Sequence, residues 1–197
     1  MARILVIFAH PAFHKSLSNR YLIDAIDTIQ DVTIRDLYQH YPSGFIDTLA
    51  EQAILSQHDV LVLQHPLYWY SAPALLKEWM DLVLTRSYVY PDQENSTAKL
   101  TQMLQVVSCG GSLTSYQPDG YNRYTLRQFL LPFEQTAILC GMRYLPPFVI
   151  DGVHKHGDAT RLRQFASRYR LLLEQIRDES LVIDESCHYL SHPEAEA

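Results

Sequence analysis

Glycine is scarce in this chain: seven residues in 197, and none before Gly44. That excludes a G-x-G-x-x-G dinucleotide turn or a Walker A loop near the N-terminus. Any phosphate bound by the first strand–loop–helix has to be held without glycine. Cysteine is rarer still. Cys109, Cys140 and Cys187 form an odd, widely spaced set that makes neither a disulfide framework nor a C-x-x-C zinc pair. Basic blocks are missing too, and 16 Lys+Arg against 22 Asp+Glu leave a net charge of -6. Such a surface is a poor one for nucleic acid. No apolar run approaches the ~20 residues of a membrane helix. No repeat period is visible, and no basic and apolar leader precedes the run that starts at Arg3. Together these absences give the expectation of a reduced, cytoplasmic protein.

What is present is apolar and aromatic. Hydrophobic residues make up 47% of the chain and aromatics 11%, which excludes disorder and gives one domain a sizeable core. Ile4–Ala9, Val32–Ile34, Val60–Leu63, Met103–Ser108 and Tyr144–Ile150 read as strands. The first, third and fourth are continuous and β-branched, as strands buried on both faces are. Pro146 and Pro147 place the fifth at an edge. Helical spacing marks Ser18–Ile29, Ile46–Ile54, the segment opened by Ser71-Ala72-Pro73, and Leu126–Cys140, interrupted at Pro132. The last helix carries Leu162, Phe165, Ala166, Tyr169, Leu172, Leu173 and Ile176 on one stripe. Arg163, Arg170 and Arg177 on another face read as a solvated row, with partner or nucleotide binding as the alternative. The domain is expected to span residues 1–184, with 185–197 a flexible tail.

Five strands alternating with five helices predict an α/β fold, a parallel sheet of order 2-1-3-4-5 covered on both faces. Ligands in such sheets sit at the carboxyl ends of the strands, around the switch between strands 1 and 3. Three loops meet there. The first, His10 to Asn19, offers Ser16, Ser18, Asn19, a ring N–H from His10 and helix-start amides that favour an anion. Ser16 or Ser18 equally serves as a helix cap. The second follows Gln64-His65-Pro66 and runs Leu67-Tyr68-Trp69-Tyr70-Ser71; Trp69 and Tyr70 either wall a ligand or pack the top of the core. The third, Ser108-Cys109-Gly110-Gly111, is either a bare ledge for a flat ligand or an ordinary turn. The three together suit a planar ring bearing one phosphate. A phospho-acceptor receiver domain shares the strand order, but Phe8-Ala9-His10, Leu63-Gln64-His65 and Ile150-Asp151 stand where its acidic residues and lysine belong. His65, His154 and His156 read as surface or turn histidines. His188 and His192 have i,i+4 spacing beside Cys187 but no further ligand, so no metal site is assigned.

Ala9-His10-Pro11 with Ser16, Ser18 and Asn19, followed by Gln64-His65-Pro66-Leu67-Tyr68-Trp69-Tyr70-Ser71-Ala72-Pro73-Ala74-Leu75-Leu76-Lys77-Glu78-Trp79-Met80-Asp81, resembles the flavodoxin-like NAD(P)H:quinone oxidoreductases. Asp36-Leu37-Tyr38, Glu51-Gln52, Asn122-Arg123-Tyr124 and Leu131-Pro132-Phe133-Glu134 are similar to the subgroup of ancillary subunits of glutathione-gated potassium efflux systems. The resemblance runs to about residue 150. It implies FMN rather than FAD, with the phosphate at Ser16, Leu17, Ser18 and Asn19 near His10. The ring would lie between Pro66–Tyr70 and Ser108–Gly111. It further implies NAD(P)H as co-substrate, ping-pong hydride transfer to a quinone or other small electrophile, and a homodimer with the flavin at the interface. Amides of the second and third loops would face the reduced ring, and Tyr116 would stand on the substrate side. A membrane antiporter is the implied partner, holding the protein at the inner face of the membrane. Alternatives are a regulatory subunit with little turnover, or a reductase of azo or nitro compounds. Where the family often has glycines after its third helix, this chain has Ser87-Tyr88-Val89-Tyr90-Pro91.

Overall fold

The computed structural model describes residues 1–89, 99–153, 159–184 and 186–191. Six strands form one parallel sheet: β1 (Ile4–Phe8), β2 (Val32–Asp36), β3 (Val60–Pro66), β4 (Gln102–Ser108), β5 (Arg143–Tyr144) and β6 (Phe148–Ile150). The order is β2-β1-β3-β4-β5, and β6 also pairs with β4. The helices are α1 (Leu17–Ile26), α2 (Leu37–His40), α3 (Thr48–Leu55), α4 (Ala74–Val83), α5 (Arg86–Val89), α6 (Leu126–Leu139) and α7 (Ala159–Arg177).

Residues of β1, β3 and β4 are buried on both sides because each face has its own helices. Leu5, Ile7, Leu61, Leu63 and Val107 pack under α4 and α6, against Leu76, Trp79, Leu130 and Phe133. Their neighbours Ile4, Val6, Val60, Val62 and Val106 pack under α1 and α7, against Leu22, Ile26, Tyr169 and Leu173. The period-2 pleat sorts one apolar run into two cores. Each fully buried large side chain contributes roughly 1.5–3 kcal/mol relative to exposure. Trp79 also donates its indole N–H to buried Glu51 Oε2 at 2.9 Å. The other oxygen, Oε1, accepts from Arg35 Nε and from the Tyr41 hydroxyl, both at 2.5 Å.

Two expected elements differ. The run Tyr144–Ile150 is split into β5 and β6, which share the place beside β4. Pro146 and Pro147 have no N–H to continue the ladder. Between the two strands, Leu145 N donates to Met103 O at 2.8 Å. The interruption at Pro132 does not occur, and α6 is continuous through it. Pro132 and Gln128, the residue whose carbonyl loses its partner, are both exposed, so water can satisfy that carbonyl. A capping box between Thr125 and Gln128 secures the helix start.

The stretch 186–191, expected to belong to a flexible tail, is docked on the sheet. Leu190 N donates to Pro147 O at 3.1 Å, and Val149 N donates to Ser191 Oγ at 3.0 Å. Arg168 Nη1 donates to Ser191 O at 3.1 Å, and Ser191 is fully buried. These contacts occupy the outer edge of β6, which would otherwise stand open. Tyr90, Pro91, His154, His156, Glu185 and residues 192–197 lie outside the described residues. Among the described residues no group of three His, Cys, Asp or Glu side chains could hold a metal ion, and no helix is long and apolar enough to cross a membrane.

Candidate functional site

The strand ends converge at the switch point. Phe8 pairs with Gln64, Pro66 with Ser108, and Ser108 with Ile150. Two cavities open there. The first, of about 380 Å³, is lined by His10, Ala12, Lys15, Ser16, Leu17, Ser18, Pro66, Leu67, Tyr68, Ser108, Gly110, Val153 and Leu162. The second, of about 370 Å³, is lined by Leu67, Trp69, Tyr70, Gly110, Gly111, Ser115, Tyr116, Tyr121 and Asn122. Leu67 and Gly110 belong to both, so the cavities adjoin.

The first cavity is built on a helix start. After the 3-10 turn Phe13–Lys15, Ser16 caps α1; its Oγ accepts from Asn19 N at 3.3 Å and from Asn19 Nδ2 at 2.9 Å. The amides of Leu17 and Ser18 are first-turn donors with no intrahelical acceptor. Lys15 adds the one cation among the lining residues. His10 is buried, and its Nδ1 accepts from Ala12 N at 3.1 Å. The neutral ring therefore carries its proton on Nε2. Burial is the main cause that lowers the pKa of His10. Its ring meets Tyr68 edge-on at 5.9 Å.

The second cavity is aromatic. Tyr68 and Ser71 close a two-residue turn in which Trp69 and Tyr70 have φ of +48° and +65°. Both residues are left-handed, as in a type I′ turn, where Asn-Gly is usual. Trp69 is 93% exposed. Tyr70 stacks on Phe129 at 4.7 Å and donates its hydroxyl to Asn122 Oδ1 at 3.3 Å. Phe129 also receives the rings of Tyr116 and Tyr124 at 6.2 and 5.9 Å. A Cβ on Gly111 would stand 3.3 Å from the Tyr116 ring. At Gly120 it would stand 2.7 Å from Thr114 O, so only glycine lets the loop fold back there. Asp151 anchors this loop by accepting from Leu113 N at 2.9 Å while pairing with Arg161 at 2.5 Å.

Most of the residues expected at the site are brought together here. Asn19 and Cys109 are not: each is 1% exposed and lies beneath the cavity surface. The Asn19 side chain is consumed by Ser16, Ser108 and Gln64. Ser108 faces the first cavity rather than the aromatic one, tied to Asn19 at 3.0 Å. Tyr68 likewise lines the first. Tyr116 is 6% exposed; it lines the second cavity and lies beside the Cys109 thiol. Burial first, then Asp151, pushes that thiol up to about 12. The amides of Leu67, Tyr68 and Cys109 are bonded within the fold. Among the described residues those of Trp69, Tyr70, Gly110 and Gly111 remain for a ligand.

His65 is neither a surface nor a turn residue. It is fully buried in β3 and stacked on Phe133 at 5.7 Å, and desolvation lowers its pKa to about 4. Gln105 Nε2 donates to its Nε2 at 3.1 Å, so its Nδ1 holds the proton and donates to Pro66 O at 3.0 Å. Lys15, Tyr121 and Asn122 line the cavities without having been assigned from sequence. Lys15 carries a signal as a cation within an anion-seeking loop, and Asn122 one through the segment Asn122-Arg123-Tyr124.

Sheet order defines a doubly wound α/β protein, and both cavities lie at the carboxyl ends of its strands. The family model described as flavodoxin-like fold matches residues 2–173, and the chain belongs to that family. It is 46% identical over 149 residues to the glutathione-regulated potassium-efflux system ancillary protein KefG of Cronobacter sakazakii, covering 76% of this chain and 80% of that one. Among solved structures it is similar to general stress protein 14 of Treponema denticola in complex with FMN, with TM-score 0.80 and 34% identity over 88% of this chain and 99% of that one. A protein of P. pentosaceus described as an NADPH-quinone reductase has TM-score 0.73 and 30% identity, covering 89% of this chain and 97% of that one.

Proposed function

We propose that the chain is an FMN-dependent NAD(P)H:quinone oxidoreductase that also serves as an ancillary subunit of a potassium efflux antiporter. The observation that carries the reading is the adjoining pair of cavities, one donor-rich at a helix start and one aromatic with a glycine ledge. The donor set fits FMN. Leu17 and Ser18 amides, Ser16, Ser108 and Lys15 would meet a terminal phosphate. Trp69, Tyr70 and Gly110–Gly111 would hold a flat ring. Bound FMN would supply two-electron hydride chemistry between NAD(P)H and a quinone or other small electrophile, in ping-pong order.

The chain's own groups orient and shield. Free amides of Trp69, Tyr70, Gly110 and Gly111 would stabilise negative charge at the ring edge. Exposed Trp69 and Tyr121 at the cavity rim would stack on nicotinamide and acceptor in turn. Tyr116 contributes its ring as a wall. A homodimer would cover the open aromatic cavity. The ancillary role is supported by the KefG likeness, and the antiporter would then hold the protein at the inner membrane face.

The test is the absorption spectrum of the purified protein with added FMN, followed by steady-state turnover with NADPH and NADH on a quinone panel. A protein that takes up no FMN at micromolar concentration refutes the reading. Flavin uptake without turnover leaves the regulatory role alone.

A further inference from the structure

A chain of hydrogen bonds runs beneath the first cavity from the middle of α7. Tyr169 Oη donates to Gln64 Oε1 at 3.1 Å. Gln64 Nε2 donates to Asn19 Oδ1 at 3.3 Å. Asn19 Nδ2 spends one hydrogen on Ser16 Oγ at 2.9 Å and the other on Ser108 Oγ at 3.0 Å. Tyr169 and Gln64 are wholly buried and Asn19 is 1% exposed. The elements α7, β3, α1 and β4 contribute Tyr169, Gln64, Asn19 and Ser108, and Ser16 is the cap of α1.

We propose that Tyr169, Gln64 and Asn19 form a positioning relay whose polarity makes the hydroxyls of Ser16 and Ser108 donors to a ligand phosphate, an inference that rests on the FMN reading. A hydroxyl has two lone pairs and one hydrogen. Ser16 Oγ already accepts from the side-chain and backbone nitrogens of Asn19. Both lone pairs are filled, and its hydrogen points to the open side, which is the cavity. Ser108 Oγ accepts from Asn19 and has its hydrogen to give. With the Asn19 amide reversed, both serines would donate inward to Oδ1. They would then present lone pairs to an anion.

The far end of the relay selects between the two arrangements. Reversal would make Gln64 donate to the Tyr169 oxygen. Among the described residues Gln64 is that hydroxyl's hydrogen-bond partner, so its hydrogen would be left unsatisfied in a fully buried site. An unmade buried bond is costly, and this holds the relay in the donor-presenting sense.

The test is Tyr169→Phe in the full-length protein, with FMN and riboflavin affinities measured by flavin fluorescence. Removing the hydroxyl frees Gln64 to take either sense. FMN binding is expected to weaken about tenfold, as loss of a buried hydrogen bond allows, while riboflavin, which has no phosphate, shifts less than about twofold. In a Ser16→Ala, Ser108→Ala background the same change should have no further effect on FMN. If Tyr169→Phe leaves the FMN-to-riboflavin preference unchanged, or if its effect persists without the two serines, the relay is refuted and the flavin reading stands. If wild-type protein binds neither flavin, both are refuted.

Discussion

Tyr68 and Ser71 exchange two backbone hydrogen bonds, Tyr68 N to Ser71 O at 2.9 Å and Ser71 N to Tyr68 O at 3.0 Å. Between them Trp69 and Tyr70 are both held at positive φ, a conformation that costs an ordinary residue roughly 1–2 kcal/mol. Trp69 buries almost nothing in return. Strain without compensating burial is found where function needs the geometry. Trp69→Gly should therefore raise unfolding free energy by roughly 0.5–1 kcal/mol, measured by urea titration, and at the same time lower quinone turnover. A destabilised variant would mean that the Trp69 ring packs in solution.

Ser16 both caps α1 and faces the first cavity. Ser16→Ala should cost about 1 kcal/mol of stability and weaken FMN more than riboflavin, read by thermal melts and fluorescence titration. Equal losses for the two flavins would place the phosphate elsewhere.

Gly110 stands at the junction of both cavities. Gly110→Val puts a branched side chain where a ring would lie. It should reduce FMN and riboflavin affinity alike, by more than about tenfold, the scale of a steric conflict of 1–3 kcal/mol. Unchanged affinity for either flavin would remove Gly110 from the site.

His65 sets a pH dependence. Its folded pKa is about 4 against an ordinary 6.5, because burial penalises the charged ring. The unfolded chain takes the proton first as pH falls. The stability due to neutral His65 is complete above pH 6.5 and is lost between 6.5 and about 4. The loss is of the order of 3 kcal/mol at most. His10 is shifted in the same direction, also chiefly by burial, so the comparison has to be with a variant. His65→Gln should flatten the unfolding free energy over that range. A profile parallel to wild type would contradict the assignment.

The sequence carried the sheet because buried parallel strands write themselves as apolar runs, as Val60–Leu63 and Met103–Val107 do. It carried the loops that line the two cavities because they follow where such runs end. The turn at Trp69 and Tyr70 was hidden: left-handed pairs usually announce themselves with Asn or Gly, and two aromatics do not. The burial of His65 is not legible because β3 runs three residues beyond its apolar stretch, into Gln64, satisfied by Asn19 and Tyr169, and His65, satisfied by Gln105 and Pro66. The same extension puts Gln64 under the first cavity. The docked stretch ending at Ser191 has no periodic pattern, since what it satisfies is an edge amide rather than a core.

The wall shared by the two cavities is one leucine and one glycine, Leu67 and Gly110. On the FMN reading, a molecule that fills both would be anionic at one end, flat at the other, and long enough to pass that wall, and the protein would act as a gauge of molecular length. A bare tricyclic ring satisfies one half only, and a flavin with a shortened side chain should bind no better than the ring alone.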